Sequence, residues 1–317
     1  MDSLILALAA AEAEKYAGAT CPNPPVGAAL VKDGRLLALG AHLRAGLDHA
    51  EVVALKSGVL AHGSEAVRGA TLYVTLEPCN HTGKTPPCTR AILEAGIVRV
   101  VYGAADPNTH VQGGGASALR AAGLTVELAT GNVASLRLID GFRKRAISGR
   151  PWVVHKQAFR LMPDGLFSMI PENGQKTFTD SESLKLAHLE RRRSDAIITG
   201  IGTVLADAPH FNVRHVADHP GKRRSLVVLS RCGRKPPGDW VQRQHDLGFD
   251  VWDCSSLETA LTQLGAQGAL RVLIEAGPGL SATVKSGSYW DESLTFVHRD
   301  ARDTTEVFRE YACSLES

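Results

Sequence analysis

The sequence predicts an α/β protein made of two successive α/β domains, and three observations lead there. At 317 residues the chain exceeds what one hydrophobic core usually serves, so two domains of roughly 150 residues each are expected. Short apolar strand runs alternate with helical segments along both halves, the pattern of helices layered on a sheet. Between the halves lies a polar, basic stretch, Arg143 to Arg150, followed by Pro151, which reads as a linker. The boundaries are set at 1–145 for the first domain, 146–151 for the linker and 152–317 for the second domain.

In the first half, residues 3–16 read as a helix with Asp2 or Ser3 as its N-cap. Residues 26–31 form a strand, Asp33-Gly34 a hairpin turn, and 35–40 the returning strand. A helix over 50–57 and a strand over 71–76 follow, then a helix over 87–95 closed by Gly96. A buried strand at 98–102, a helix at 116–122 and a strand at 125–128 complete a three-layer α/β unit. In the second half, strands are expected at 152–158, 195–199, 225–230, 271–275 and 293–297, with helices at 181–193 and 257–264. Neither half contains an internal repeat or a low-complexity tract.

Composition removes several function classes. Hydrophobic residues at 44% and charged residues at 21% are ordinary for a soluble globular chain. A net charge of +2 and an aromatic content of 5% argue against a nucleic-acid surface or a base-stacking platform. The start, Met1-Asp2-Ser3, carries an acid where a signal peptide needs positive charge, and the apolar run 4–10 is too short to cross a bilayer. No membrane partner is expected. Six cysteines, two of them in a metal-ligand pattern, suggest a reducing cytoplasm rather than a disulfide framework.

That metal pattern carries the chemistry. His49-Ala50-Glu51 is followed by Pro78-Cys79 and Cys88, giving one imidazole and two thiolates for Zn(2+) with a fourth position open to water. His49 and Glu51 open one predicted helix, Cys88 opens another, and helix N-termini favour thiolate over thiol. Such a site lowers the pKa of water to roughly 7. Glu51 is placed to carry the proton to a ring nitrogen and then to help ammonia leave, so H-x-E with P-C and a second cysteine points to a hydrolytic deaminase of nucleobase-like rings. A closed structural site would need His81 or Asp48 as fourth ligand, and it would leave Glu51 without a purpose.

The run Thr75-Leu-Glu-Pro-Cys-Asn-His-Thr-Gly-Lys-Thr-Pro-Pro-Cys88 resembles the bifunctional riboflavin-biosynthesis deaminase/reductase family, RibD. Eight residues separate the two cysteines, and the Gly-Lys-Thr-Pro-Pro insert is specific to that branch. Pro22-Asn-Pro-Pro-Val-Gly27, His49-Ala-Glu-Val52 and Asp106-Pro-Asn108 agree with it. The resemblance implies a cytidine-deaminase-like first domain acting on a phosphoribosylated diaminopyrimidine. It also implies a dihydrofolate-reductase-like second domain that reduces the ribose with NADPH, and a homo-oligomer. Asn23 would then orient the pyrimidine, while Asp106 and Asn108, with His42 and Lys84, would line the ribose-phosphate side. The competing local readings are turn roles for Asn23 and Asp106 and a solvated charge for Lys84.

The likeness is looser in the second half. Gly202-Thr-Val-Leu-Ala-Asp207, Phe211-Asn-Val-Arg214 and Glu275-Ala-Gly-Pro-Gly-Leu280 carry it. It implies cofactor contacts from Thr203, Asp207, Ser230, Gly277, Pro278 and Gly279, and substrate contacts from Arg191, Phe211, Arg214 and Glu275. Departures stand at Arg160 to Gly165, where two residues look inserted, at Gly174 to Thr179, which lacks a tryptophan, and in a polar tail from Arg299 that looks shortened. Two readings follow: an active reductase, or a deaminase-only relative with a degenerate second domain serving a specialised pteridine-like pathway.

Overall fold

A computed structural model describes residues 1–82, 86–108, 114–162, 164–169, 180–299 and 304–312. The chain divides into a first compact unit, Met1–Ser148, and a second that begins at Gly149. No helix among the described residues is long and apolar enough to cross a membrane.

The first unit runs α1 (Asp2–Glu14), β1 (Gly27–Lys32), β2 (Arg35–Ala41), α2 (Ala50–His62), α3 (Ser64–Val67), β3 (Thr71–Val74), α4 (Cys88–Glu94), β4 (Arg99–Tyr102), α5 (Gly114–Ala121), β5 (Thr125–Leu128), α6 (Val133–Leu138) and α7 (Asp140–Ser148). Its sheet has the order β2-β1-β3-β4-β5, with β1 antiparallel to both neighbours and β3, β4 and β5 parallel. Strand β1 is apolar on both faces because both are covered. Ala29 and Val31 pack with Ile5, Leu6 and Ala9 of α1, whereas Ala28 and Leu30 pack with Ala50, Ala54 and Leu55 of α2. Asp33 (φ 50) and Gly34 (φ 73) supply the two left-handed positions of the hairpin turn.

Helix α7 runs into the start of the stretch expected as a linker at 146–151, and the boundary between the two units, after Ser148, falls within that stretch. The helix's Arg-Lys-Arg run is half-buried, with Arg143 Nη2 donating to the buried Asp140 carboxylate at 3.5 Å, and the helix ends before Gly149 at φ 70. Charged residues of this kind are good helix formers, so composition alone does not separate such a helix from a tether.

The second unit runs β6 (Trp152–Leu161), β7 (Phe167–Ser168), α8 (Ser181–Arg193), β8 (Ala196–Gly200), α9 (Ile201–Asp207), β9 (Arg224–Leu229), α10 (Gly238–Asp246), β10 (Phe249–Cys254), α11 (Leu257–Ala266), β11 (Arg271–Glu275), α12 (Pro278–Ser286), β12 (Glu292–Arg299) and β13 (Thr304–Tyr311). The sheet order is β10-β9-β8-β11-β6-β12-β13, with the short β7 paired to β6. All pairs from β10 to β12 are parallel, and β13 returns antiparallel along β12. Two cores flank this sheet, one around Trp152, Phe211, Trp240 and Phe296, the other around Ile198, Leu261, Ile274 and Val284.

The polar tail read as unlike the family therefore contains a strand. Arg309 on β13 donates to Glu190 of α8 at 2.9 Å and to Glu292 of β12, and Arg271 of β11 donates to the same two carboxylates at 2.9 Å each. Trp152 Nε1 adds a bond to Glu292 at 3.3 Å, and Arg193 adds one to Glu190 at 3.2 Å. Two buried carboxylates thus alternate with two guanidiniums in a closed ring of charge that ties four elements together.

Candidate functional site

In the first unit the metal-ligating groups are delivered by two helix starts and one strand-to-helix loop. His49 caps α2 in extended conformation (φ −72, ψ 162), so its side chain projects off the helix end while Glu51 sits in the first turn. Helix α2 can lie this close to the sheet because β2 has Gly40 beneath it. A Cβ there would fall 2.4 Å from Ala54 N and 2.6 Å from Ala50 O. Cys88 begins α4, and its backbone N–H donates to Cys79 Sγ at 3.4 Å, while Thr89 N–H donates to the Cys79 carbonyl at 3.3 Å.

The loop carrying Cys79 is fixed from behind by a residue that sequence reasoning missed. Glu77 is buried and accepts from the Ala116 N–H at the start of α5 at 3.1 Å. Beside it the Pro78 carbonyl rests on Gly115, where a Cβ would come within 1.8 Å. Glu77 looks like one more residue of the cysteine motif, and only its helix-capping contact reveals the role. Gly115→Ala is expected to push Pro78-Cys79 out of place and weaken zinc retention by about tenfold or more, read by metal content during chelator titration. Retention equal to the parent protein would show that the loop tolerates the shift.

His49 Nδ1 lies 3.2 Å from Cys88 Sγ and 3.6 Å from Cys79 Sγ, and all three ligand atoms fall within 4.8 Å of one another. A tetrahedral zinc site with ordinary Zn–N and Zn–S bonds places nitrogen and sulfur about 3.5 Å apart, so these residues fit the ion. The two sulfurs are not equivalent. The Cys88 hydrogen bond, then His49, hold Cys79 down to about 4, while that same bond, burial and Glu51 push Cys88 up. A divalent cation would hold both as thiolates. Among the described residues no fourth ligand joins the group. Asp48 is bound by Lys56 Nζ at 2.6 Å, and His81 is exposed. Glu51 is 3% exposed, and burial raises its carboxyl, which suits a group that must both take and give a proton near neutrality.

Asn23 and His42, both expected at the substrate, come together. His42 is 2% exposed, with Nδ1 3.0 Å from the Asp48 carbonyl and Nε2 3.2 Å from Asn23 Nδ2. A carbonyl only accepts, so Nδ1 carries the proton and Nε2 accepts from the Asn23 amide. Burial lowers the His42 pKa and keeps it neutral in that role. Asn23 therefore turns its carbonyl oxygen away from His42, as an acceptor for a ring or exocyclic N–H. Asp106 accepts from Asn108 N–H at 2.8 Å, the local Asx-turn, and burial raises its carboxyl. Lys84 lies outside the described residues.

In the second unit the named residues gather at the carboxyl ends of β8, β9, β11 and β6, where open α/β sheets bind ligands. Glu275 ends β11 opposite Lys156 of β6, and Thr199 follows Ile198, which pairs with Ile274. Arg191 grips both Glu275 oxygens at 2.5 and 2.8 Å and donates to the His210 and Asn212 carbonyls at 3.2 Å each. Four of its five N–H donors are thus engaged within the protein, so it shapes the loop and orients Glu275. The Phe211 side chain departs from its expected role as a substrate contact. Its ring is 2% exposed, under the Arg191 guanidinium and against Trp240, so the side chain is closed to a ligand. Arg214 is exposed, and its backbone N–H donates to His188 Nδ1 at 2.9 Å. Burial, then Arg191 and Arg214, hold His188 down to about 3. Burial alone would raise Glu275, yet Arg191 and Lys156 hold it at about 2. Lys156 itself was missed from sequence. Burial lowers its pKa with Glu275 opposing, and a lysine inside a buried strand run was the available signal.

Around this cluster the residues suit a dinucleotide. Thr199 Oγ1 is buried with no hydrogen-bond partner among the described residues, and Ser230 Oγ, also buried, has no nitrogen or oxygen partner there. Gly277 caps α12 with Pro278 in its first turn, and Gly202 and Gly279 have nothing within 4 Å of where a Cβ would stand. A Cβ on Gly277 would approach Thr203 Oγ1 at 3.2 Å, so Thr203 borders the same turn. Asp207 ends α9 and is exposed. The departure at 174–179 lies outside the described residues.

Residues 2–104 match the cytidine and deoxycytidylate deaminase zinc-binding region, and residues 151–298 match the RibD C-terminal domain. The riboflavin biosynthesis protein RibD of Aquifex aeolicus is 42% identical over 316 residues, covering 94% of this chain and 86% of its own length. That of Escherichia coli is 32% identical over 328 residues, covering 93% and 87%. The structure of Acinetobacter baumannii RibD superposes with a TM-score of 0.79 at 34% identity, covering 94% of this chain and 86% of that one. Fold, site and these matches define a two-domain enzyme, a zinc-dependent pyrimidine deaminase followed by a reductase domain. The chain belongs to the RibD family, the bifunctional deaminase/reductases of riboflavin biosynthesis. The reductase domain of this family uses NADPH. A deaminase-only relative with a degenerate second domain is set aside, because the RibD C-terminal match spans 151–298 and the relatives align across both units.

Proposed function

We propose the following division of labour. In the first unit His49, Cys79 and Cys88 hold zinc, and Glu51 moves the proton during hydrolysis of the exocyclic amine of a phosphoribosylated diaminopyrimidine. The observation that carries this is the ligand triad with a buried carboxyl beside it and no fourth ligand among the described residues. Zinc supplies an activated water at its open position. Glu51 would accept a proton from water and deliver it to the ring nitrogen next to the amine-bearing carbon, then take the proton of the hydroxyl added to that carbon and pass it to the departing amine, which leaves as ammonia. Asn23, held by His42, accepts a hydrogen bond from the pyrimidine and fixes which carbon faces the acid. Asp106, Asn108 and Lys84 serve the ribose-phosphate end.

In the second unit the Gly277-Pro278-Gly279 turn, Thr203, Asp207 and Ser230 would hold NADPH, which would supply the hydride. Glu275 and Lys156 face the opened ribose, and Arg214 takes the phosphate. Lys156, its charge disfavoured by burial, is suited to giving a proton to the sugar oxygen as hydride arrives at the carbon. A cytoplasmic homo-oligomer completes the proposal. The absence, among the described residues, of a disulfide at Cys232 and Cys254 supports the compartment, and the exposed Val59 and Leu60 of α2 support self-association.

The test is ammonia release from the diaminopyrimidinone ribose phosphate, with and without NADPH, followed by product mass. A gain of about one mass unit without NADPH marks exchange of amine for oxygen, and about three with it marks added reduction of the sugar. An unchanged mass without NADPH would overturn the first assignment, and a gain of about one with NADPH would overturn the second.

A further inference from the structure

A fully buried histidine in the second unit has no part in the roles assigned above. His155, on β6, is 0% exposed, and its Nε2 lies 3.1 Å from the hydroxyl of Ser281 on α12. The Ser281 hydroxyl donates in turn to the carbonyl of Ala276 at 3.4 Å. His155 Nδ1 has no hydrogen-bond partner among the described residues. Leaving a buried polar atom unpaired is costly, so a sheet position that aliphatic side chains fill on either side, with Val153 and Ile274 in the same core, needs a reason to hold an imidazole.

The direction of the bonds supplies one. Ser281 has a single hydroxyl proton and uses it on Ala276, so His155 Nε2–H is the donor to Ser281 Oγ. Burial first, then the charge of Lys285, hold the imidazole at about 4, so it keeps the neutral form this chain of bonds requires. The Ala276 carbonyl is thereby drawn toward α12. In a trans peptide the next N–H points the opposite way, so Gly277 N–H is turned outward. It joins the first-turn amides of α12, at Gly279 and Leu280, which have no acceptor within the helix. Three amides then face the space above the glycine turn, a cradle for phosphate oxygens.

We propose that His155 and Ser281 are a positioning pair for the dinucleotide: the imidazole holds the serine, the serine holds the Ala276-Gly277 peptide, and that peptide presents its N–H to a cofactor phosphate. This rests on the reading that NADPH occupies the Gly277-Pro278-Gly279 turn. The pair touches neither the hydride nor the sugar, so it acts on cofactor affinity and leaves the chemical step alone.

The experiment uses the full chain and four variants, with NADPH itself as the probe. Ser281→Ala is expected to raise the Kd and the KM for NADPH by about three- to tenfold, the worth of one hydrogen bond, with kcat for reduction within about twofold and ammonia release unchanged. His155→Leu should match it, and the double variant should be no weaker than either single one, because both break the same chain. Thermal melting checks that each variant folds, and Ser281→Ala, a buried hydroxyl removed, carries the test if His155→Leu does not. Gly279→Asp separates the two ideas by placing a carboxylate where nothing stands within 4 Å. Loss of NADPH binding in Gly279→Asp with unchanged affinity in Ser281→Ala would overturn the positioning pair alone. Unchanged affinity in Gly279→Asp would overturn the cofactor reading beneath it.

Discussion

Glu51→Gln is expected to lower the deamination kcat by about 10²- to 10⁴-fold while the protein keeps its zinc. The amide has the carboxyl's shape and fills the same buried space in the first turn of α2, so the fold and the three ligands stay as they are. What it cannot do is carry a proton. Without that transfer the ring nitrogen stays unprotonated, the carbon remains a poor electrophile, and the amine is a poor leaving group. Reduction of the already deaminated substrate should proceed at the parent rate, since no residue of the second unit changes. Ammonia release, metal content and NADPH consumption measured on one preparation check all three statements. Deamination within tenfold of the parent enzyme would show that the proton travels by another group.

The second large effect is on stability. Glu190→Gln is expected to destabilise the second unit by about 3–5 kcal/mol, because it removes one carboxylate from a ring whose guanidiniums then lack full compensation. The same ring predicts an acid-sensitive unit. Burial by itself would raise Glu190, but Arg271, Arg193 and Arg309 outweigh it and bring the carboxyl from 4.5 to about 2. A folded-state value below the unfolded one means that the ionised form is favoured by folding. The stabilisation, on the order of 3 kcal/mol, is complete above about pH 4.5 and disappears as pH falls through about 2. Urea denaturation followed by Trp240 and Trp252 fluorescence at neutral pH and at pH 3 measures both quantities. A Glu190→Gln variant as stable as the parent at neutral pH, or equally sensitive to acid, would refute this account.

Much of this was legible from residues alone, and what was not has physical causes. Helix α8 was read with its observed ends, because Asp180 is a strong cap whose carboxylate accepts from Ser183 N–H at 2.8 Å and Ser194 follows the final arginine. The zinc triad was readable because ligand type and spacing are local. Helix α12 is not legible in the sequence, since Gly-Pro-Gly is equally a turn and a helix start, and only the packing of Ser281 and Val284 decides between them. Strand β13 went unseen because an edge strand with one solvated face lacks an apolar run, and its anchor, Arg309, looks like any surface charge until Glu190 and Glu292 are placed beside it. The partner of Arg191 is hidden for the converse reason. An arginine at a helix end suits phosphate by chemistry, but sequence does not reveal that Glu275, far along the chain, already occupies it.

The order of strands in the second sheet has a consequence for how the chain is made. Strand β6 is synthesised first, yet its main partners, β11 and β12, begin at Arg271 and Glu292, more than about a hundred residues later. Until they emerge from the ribosome, the run Trp152-Val153-Val154 has no strand partner among the described residues, since β7 pairs with Arg160 and Leu161 at the other end of the strand. The first unit, whose neighbours in the sheet are mostly close in sequence, can close early. The second is then the slow and aggregation-exposed half of the nascent protein, the part on which chaperone demand should fall.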